Sequence, residues 1–167
     1  MLEILSETRD PTRVQPHLKK CFEGINSLHF EENLDITGLY SSQKELVKFI
    51  SPVSTVEAAG AVEKWLYDVE KMMIASLRDV MAKGYEAYKS IPREQWVLEW
   101  PGQIVLAVTQ IYWTAEIELT YQSLEKDPAS MKIFADVNTE RLSNIVALVR
   151  GNLSRLARTS LEALVVV

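Results

Sequence analysis

Apolar residues recur along this chain with two different periods. Between Leu28 and Ile50 they alternate: Leu28 and Phe30, Ile36 with Gly38 and Leu39-Tyr40, then Val47 and Phe49, separated by polar clusters at Glu31 to Asp35 and Ser41 to Lys44. Successive side chains of a strand point to opposite faces, so this spacing predicts two or three short strands in a small antiparallel meander. Elsewhere the spacing is three and four, the repeat of a helix with one buried face. Leu2, Ile4 and Leu5 predict a helical turn that stops before Asp10-Pro11, because the residue ahead of a proline is pushed out of the helical region. Pro16 then opens a short helix whose buried face is Leu18, Cys21, Phe22 and Ile25, closed by Gly24 and Asn26.

After Ser51-Pro52 the helical repeat becomes long. Thr55 is placed to cap a helix whose stripe is Val62, Trp65, Leu66, Val69, Met73, Ser76, Leu77 and Val80. Run to Tyr88, it would hold on the order of 30 residues and span about 45 Å. Pro92 breaks it, and Arg93 to Glu99 form a short connection. Three of the four tryptophans sit at this joint: Trp96, Trp100 and Trp113, around the pair Pro101-Gly102 that can begin a helix but not continue one. The helix from Pro101 to Glu125 has two apolar stripes, one of Ile104, Val105, Val108, Ile111, Tyr112, Ala115 and Leu119, the other of Leu106, Trp113, Ile117 and Leu124. Two apolar faces predict burial on both. Asp127-Pro128 opens a last helix, whose stripe of Leu142, Ile145, Val146, Val149, Leu153, Leu156 and Ser160 keeps its phase across Gly151. The glycine is expected to cost about 1 kcal/mol relative to alanine without ending the helix. The expected fold is mainly α, an elongated antiparallel bundle of long helices with a small antiparallel β meander near residues 28–50. Residues 1–167 are read as a single fragment, with short helices and the meander in 1–52 and the long-helix bundle in 53–167.

Composition narrows what such a fold does. A net charge of -5 and a pI near 5.2 argue against a nucleic-acid partner, which needs clustered positive charge. No apolar run reaches the roughly 20 residues needed to span a bilayer, and the acidic amino end does not read as a signal peptide. Cys21 is the one cysteine, so no internal disulfide is expected and it reads as a small buried hydrophobe. Gly60-Ala61-Val62-Glu63-Lys64 lacks the second glycine and the Lys-Ser/Thr pair of a phosphate loop. His17 and His29 have no partner at metal-ligand spacing, and Glu31, Glu32 and Asp35 read as a solvated turn. No catalytic, cofactor-binding or metal residue is therefore assigned. Arg141, Arg155 and Arg158 fall on one side of the last helix, either as a solvated, ion-paired face or as a docking face for an acidic neighbour. Leu106, Ile117 and Leu124, on the second stripe, are the surface a partner helix would use. Both ends read as cut, the last on the apolar run Leu164 to Val167.

Several strings carry a resemblance. Glu99-Trp100-Pro101-Gly102-Gln103-Ile104-Val105-Leu106, followed by Gln110-Ile111-Tyr112-Trp113-Thr114, resembles the linker region of dynein heavy chains, the axonemal kind more than the cytoplasmic. The likeness extends to Leu5 to Thr8 with Asp10-Pro11, Val14 to Leu18 with Cys21-Phe22, Gly38, Ser41, Glu45 and Val47, Val62 to Leu66 with Met72-Met73, and Leu148 to Gly151 with Leu153 to Leu156. Glu162 departs from it, standing where that family tends to have a small residue. The resemblance implies the carboxy-terminal part of a bent helical rod that precedes the first AAA+ module of a minus-end-directed microtubule motor. It implies a non-catalytic lever, not an enzyme, with ATP and magnesium held elsewhere in the parent motor. The implied partners are the AAA+ ring modules of the same heavy chain, the rest of the linker, intermediate and light chains, and microtubules, with no nucleic acid and no membrane. The implied location is cytoplasmic, in the cytoskeleton and the axoneme of a cilium. A free-standing helical scaffold that binds a partner helix through the second face of the 101–125 helix is the alternative.

Overall fold

The alternation between Leu28 and Ile50 folds as a three-stranded antiparallel sheet of β1 (Ile25–Phe30), β2 (Ile36–Ser41) and β3 (Leu46–Val53), in the order β1-β2-β3. The structure, a computed structural model, describes residues 10–58 and 61–166, and the turn expected at Leu2 to Leu5 lies outside them. Gly38 is required where it stands: a Cβ there would lie 2.8 Å from the Val47 carbonyl oxygen, so β2 and β3 could not pair as closely. β3 does not break at Ser51-Pro52 as its sequence suggests. Gly38 pairs with Lys48 but Ile36 with Val53, so five steps of β3 oppose two of β2 and the strand bulges. Pro52 falls in that bulge, where no ladder N–H is needed. The Ile50 N–H instead donates to the Ser76 hydroxyl at 3.1 Å, which explains a fully buried serine in an otherwise apolar stripe.

Ahead of the sheet run a 3-10 helix (Pro11–His17) and a single helical turn, α1 (Leu18–Cys21). The Gln15 amide closes the edge of β1, its Nε2 donating to the Leu28 carbonyl at 2.8 Å and its Oε1 accepting from the Leu28 N–H at 2.9 Å. The expected helix through Ile25 is thus cut short. Phe22 is already extended and Ile25 belongs to β1. Leu18 is the one buried residue of that turn, Phe22 and Ile25 pack against the core from the extended chain that follows, and Cys21 is exposed rather than the buried hydrophobe expected.

The sheet closes on α2 (Val62–Ala87): Val14, Leu18, Leu28, Ile36, Leu39, Val47 and Val53 form one cluster with Val62, Trp65 and Val69. Thr55 does not cap this helix. It is buried, and its hydroxyl donates to the Leu34 carbonyl at 3.0 Å, tying the β1–β2 turn to the chain after β3. Backbone contacts divide the chain into two compact units, up to Val80 and from Met81 onward, so the division falls within α2.

In the second unit follow α3 (Arg93–Glu99), α4 (Gly102–Ser123), α5 (Ser130–Val149) and α6 (Arg155–Val166), of which α4, α5 and α6 pack pairwise. Thr120 meets Ser130 and Glu116 meets Arg141, so α4 and α5 form an antiparallel hairpin. Two expectations fail here. The last helix is not continuous, because α5 ends at Val149 and the Ser154 hydroxyl caps α6 by accepting the Ala157 N–H at 3.2 Å. A glycine penalty of about 1 kcal/mol and a serine cap of similar size act together at neighbouring positions, and they outweigh a conserved phase. Nor is α4 buried on two faces. Ile104, Val105, Val108 and Tyr112 are buried, but Ile111 and Leu119 of the same stripe are 44% and 66% exposed and Trp113 of the other is 44% exposed. Among the described residues no helix is long and apolar enough to cross a membrane.

Candidate functional site

Two prolines fold the chain around α3. Pro92 (φ -52°, ψ 135°) precedes it, and after it Trp100 (φ -109°, ψ 151°) and Pro101 (φ -55°, ψ 144°) are both extended before Gly102 starts α4. A proline cannot continue a helix but suits the position before its first turn, which is why α3 is seven residues long. Trp96 is fully buried inside this joint, and its Nε1 donates to the Gly84 carbonyl at 3.0 Å. Gly84 has no room for a side chain: a Cβ would lie 2.8 Å from Ile104 Cγ2 and 3.2 and 3.3 Å from the Trp100 ring. The absent side chain lets the Trp100 indole and Ile104 lie against the end of α2.

Three tyrosines extend the joint. Tyr112 stacks on Tyr85 at 4.7 Å and on Tyr88 at 4.4 Å, while Trp96 meets Tyr88 edge-on at 4.9 Å and 88°. The Tyr112 hydroxyl donates to the Tyr85 carbonyl at 3.0 Å, and Arg93 Nη1 donates to the Tyr88 hydroxyl at 2.8 Å. Trp96 and Trp100 thus both lie at Gly84, beside the turn at Pro101 and Gly102. Trp113 does not. It leaves the joint for α5, where its ring is tilted against Phe134 at 6.4 Å, because position 113 faces the hairpin side of α4.

The arginines also separate. Arg141 lies on α5, whereas Arg155 and Arg158 lie on α6, so the break at Gly151 removes the single helix side they were expected to share. Arg141 makes a two-pronged contact with Glu116, Nη2 to Oε1 at 3.0 Å and Nη1 to Oε2, and that carboxylate raises the Arg141 pKa. Arg158 reaches back to the Gly151 carbonyl at 3.2 Å, Arg155 is exposed, and Leu106, Ile117 and Leu124 are half-buried. Among the described residues no group of three or more His, Cys, Asp or Glu could hold a metal ion. What the joint can do is hold an angle between helices, since the Trp96 and Tyr112 donors are committed to backbone carbonyls.

Comparison with known proteins gives this joint its context. Residues 1–84 of the 167 match the family described as Dynein heavy chain, N-terminal region 2. The chain belongs to that family. Along all 167 residues it is 52% identical to dynein axonemal heavy chain 3 of Mus musculus, 52% to dynein axonemal heavy chain 12 of Mus musculus and 46% to dynein axonemal heavy chain 1 of Homo sapiens. It spans 4 to 5% of the length of these relatives. The segment is therefore a structural part of a heavy chain's N-terminal region and not its catalytic AAA domain.

In this dynein heavy chain segment Gly84, Tyr85 and Tyr88 join the joint without being among the residues expected there, Tyr88 having been expected only as the end of the long helix. The signal was available in the spacing: Tyr85 and Tyr88 share one side of a helix, and a glycine beside them in a helix interior usually marks a close approach. The Tyr112 phenol is pushed above its ordinary value of 10.0, first by burial and then by Tyr85 and the neighbouring Tyr88 phenol. A raised acid pKa in the folded state contributes stability that is whole below the unfolded value and is lost as pH rises through the folded one. Stability should therefore fall above about pH 10 more steeply in the parent than in Tyr112→Phe, and near-ultraviolet absorbance should show one tyrosine ionising after the others.

Proposed function

We propose that this segment is the carboxy-terminal part of the linker of an axonemal dynein heavy chain, a mechanical lever with no chemistry of its own. The identity of 52% maintained along the whole chain to axonemal heavy chains is the observation that carries this reading. On this reading ATP and magnesium bind elsewhere in the heavy chain, and the lever works against the AAA+ ring and the rest of the linker. Its setting is the axoneme of a cilium, within a minus-end-directed motor that includes intermediate and light chains and acts on microtubules. The elongated helical bundle expected from the helix lengths belongs to the same proposal. Support comes from α2, whose 26 residues run without a proline and seat Val62, Trp65, Val69 and Ser76 in a buried stripe. A lever needs stiffness along such an element, and packing on one face supplies it.

The test is a glycine pair at Val69 and Ser76 in the full-length motor. Each substitution costs about 1 kcal/mol in helix propensity, and Val69 loses packing in addition. Microtubule gliding should slow more than ATP turnover falls, since the chemistry lies in other modules. Gliding and turnover falling in strict proportion would remove the support for a lever. The alternative of a free-standing scaffold using Leu106, Ile117 and Leu124 requires a native reading frame that stops near Val167.

A further inference from the structure

A cavity of about 260 Å³ lies among α3, α4, α5 and α6, with Arg93, Trp113, Asn138, Arg141, Leu142 and Leu164 in its wall. Its charge runs against that of the chain. The protein carries a net charge of -5, yet the lining includes two arginines and no aspartate or glutamate. Arg141 is already matched by Glu116, but Arg93 is not matched by an acid among the described residues. Among the described residues its one hydrogen bond goes to the Tyr88 hydroxyl, and its Nε is buried without a partner, as is the Thr109 hydroxyl in the same wall. A partly buried guanidinium normally finds a carboxylate, because desolvating a cation is costly until an opposite charge or several acceptors replace the water. Gln110 and Asn138 add neutral polar groups, the remaining wall residues are apolar, and Trp113, Leu142 and Val165 are 44%, 47% and 38% exposed at its edge.

We propose that this cavity is a docking site for a peptide segment that presents a carboxylate side chain next to an apolar one. The carboxylate pairs with Arg93, which turns its guanidinium toward the cavity, and Asn138 supplies a further donor. The apolar neighbour packs on Trp113, Leu142 and Leu164. The exposed apolar rim favours a chain laid across the opening over a small free acid, which would leave that rim in water. A purely apolar partner helix fits less well, since it would cover Arg93 and leave its charge unmatched. The proposal is independent of the lever reading, because it concerns only what this cavity recognises.

The 167-residue chain, labelled for detection of tryptophan indole N–H signals, would be titrated with the capped tripeptide acetyl-Leu-Glu-Leu-amide. The same peptide with glutamine in place of glutamate, and acetate alone, are the other arms. The glutamate peptide should shift the Trp113 signal saturably and bind at least about tenfold more tightly than the glutamine peptide, the factor expected for a hydrogen bond to a charged group. Arg93→Gln should abolish that preference. Leu142→Asp, at a half-exposed position that tolerates change, should weaken the glutamate peptide at least as much without unfolding the chain. Equal binding of the two peptides, a preference that survives in both variants, no saturable shift, or acetate binding as tightly as the peptide would each overturn the proposal.

Discussion

Trp96→Ala is expected to destabilise the second unit by about 3–5 kcal/mol, the range for deleting a large aromatic side chain from a core. The side chain is fully buried, so its loss opens a cavity rather than a surface dent. It also removes one of two donors to the Gly84 carbonyl, leaving it the Tyr88 N–H at 3.1 Å, and takes away the edge-on neighbour of Tyr88. Trp113→Ala is the contrasting variant from the same joint in sequence. Its ring is 44% exposed, and its removal should cost about 1 kcal/mol or less. Chemical denaturation of the two variants beside the parent measures the difference. Equal losses would show that burial at the joint is not what holds α3 in place.

Trp65→Ala should cost a similar 3–5 kcal/mol, but in the first unit. Trp65 is 2% exposed and lies in the cluster that joins α2 to all three strands through Leu28, Ile36, Leu39 and Val47. A three-stranded sheet does not hold without an apolar face to pack on. The effect should therefore appear in the sheet: hydrogen exchange of the Leu39 and Val47 amides should accelerate more than that of amides in α5. If α5 amides accelerate as much as those of the sheet, Trp65 does not act through this cluster.

Much of the first unit is legible in the sequence. A small antiparallel meander of two or three strands and the helix that covers it follow from a period of two giving way to a period of about 3.6, the structure fixing the count at three, and Val62, Trp65 and Val69 were on the expected stripe. Likewise Pro92 and Pro101-Gly102 announced the joint, because proline restricts the backbone locally whatever surrounds it. The candidate cavity was not legible at all. Its wall draws on four helices, and nothing in the spacing of Arg93, Trp113, Asn138 and Leu164 along the chain shows that they meet.

Where the reading failed, local signals of similar size were in competition. The stripe that continued across Gly151 carried a real periodicity, but Ser154 offered an alternative helix start, and the packing of Leu161 and Leu164 favoured the break. Thr55 had the chemistry of a cap, and the Leu34 carbonyl took its hydroxyl instead. Cys21 had helical spacing in a helix that lasted one turn. Backbone restriction, period and membership of the dynein heavy chain family are properties of neighbours along the chain, so the sequence alone determined them. Which of two apolar faces is covered, which polar group receives a buried donor and which arginine lacks an acid depend on residues distant in sequence. Only the tertiary structure decided those, because burial and pairing energies act through space and not along the chain.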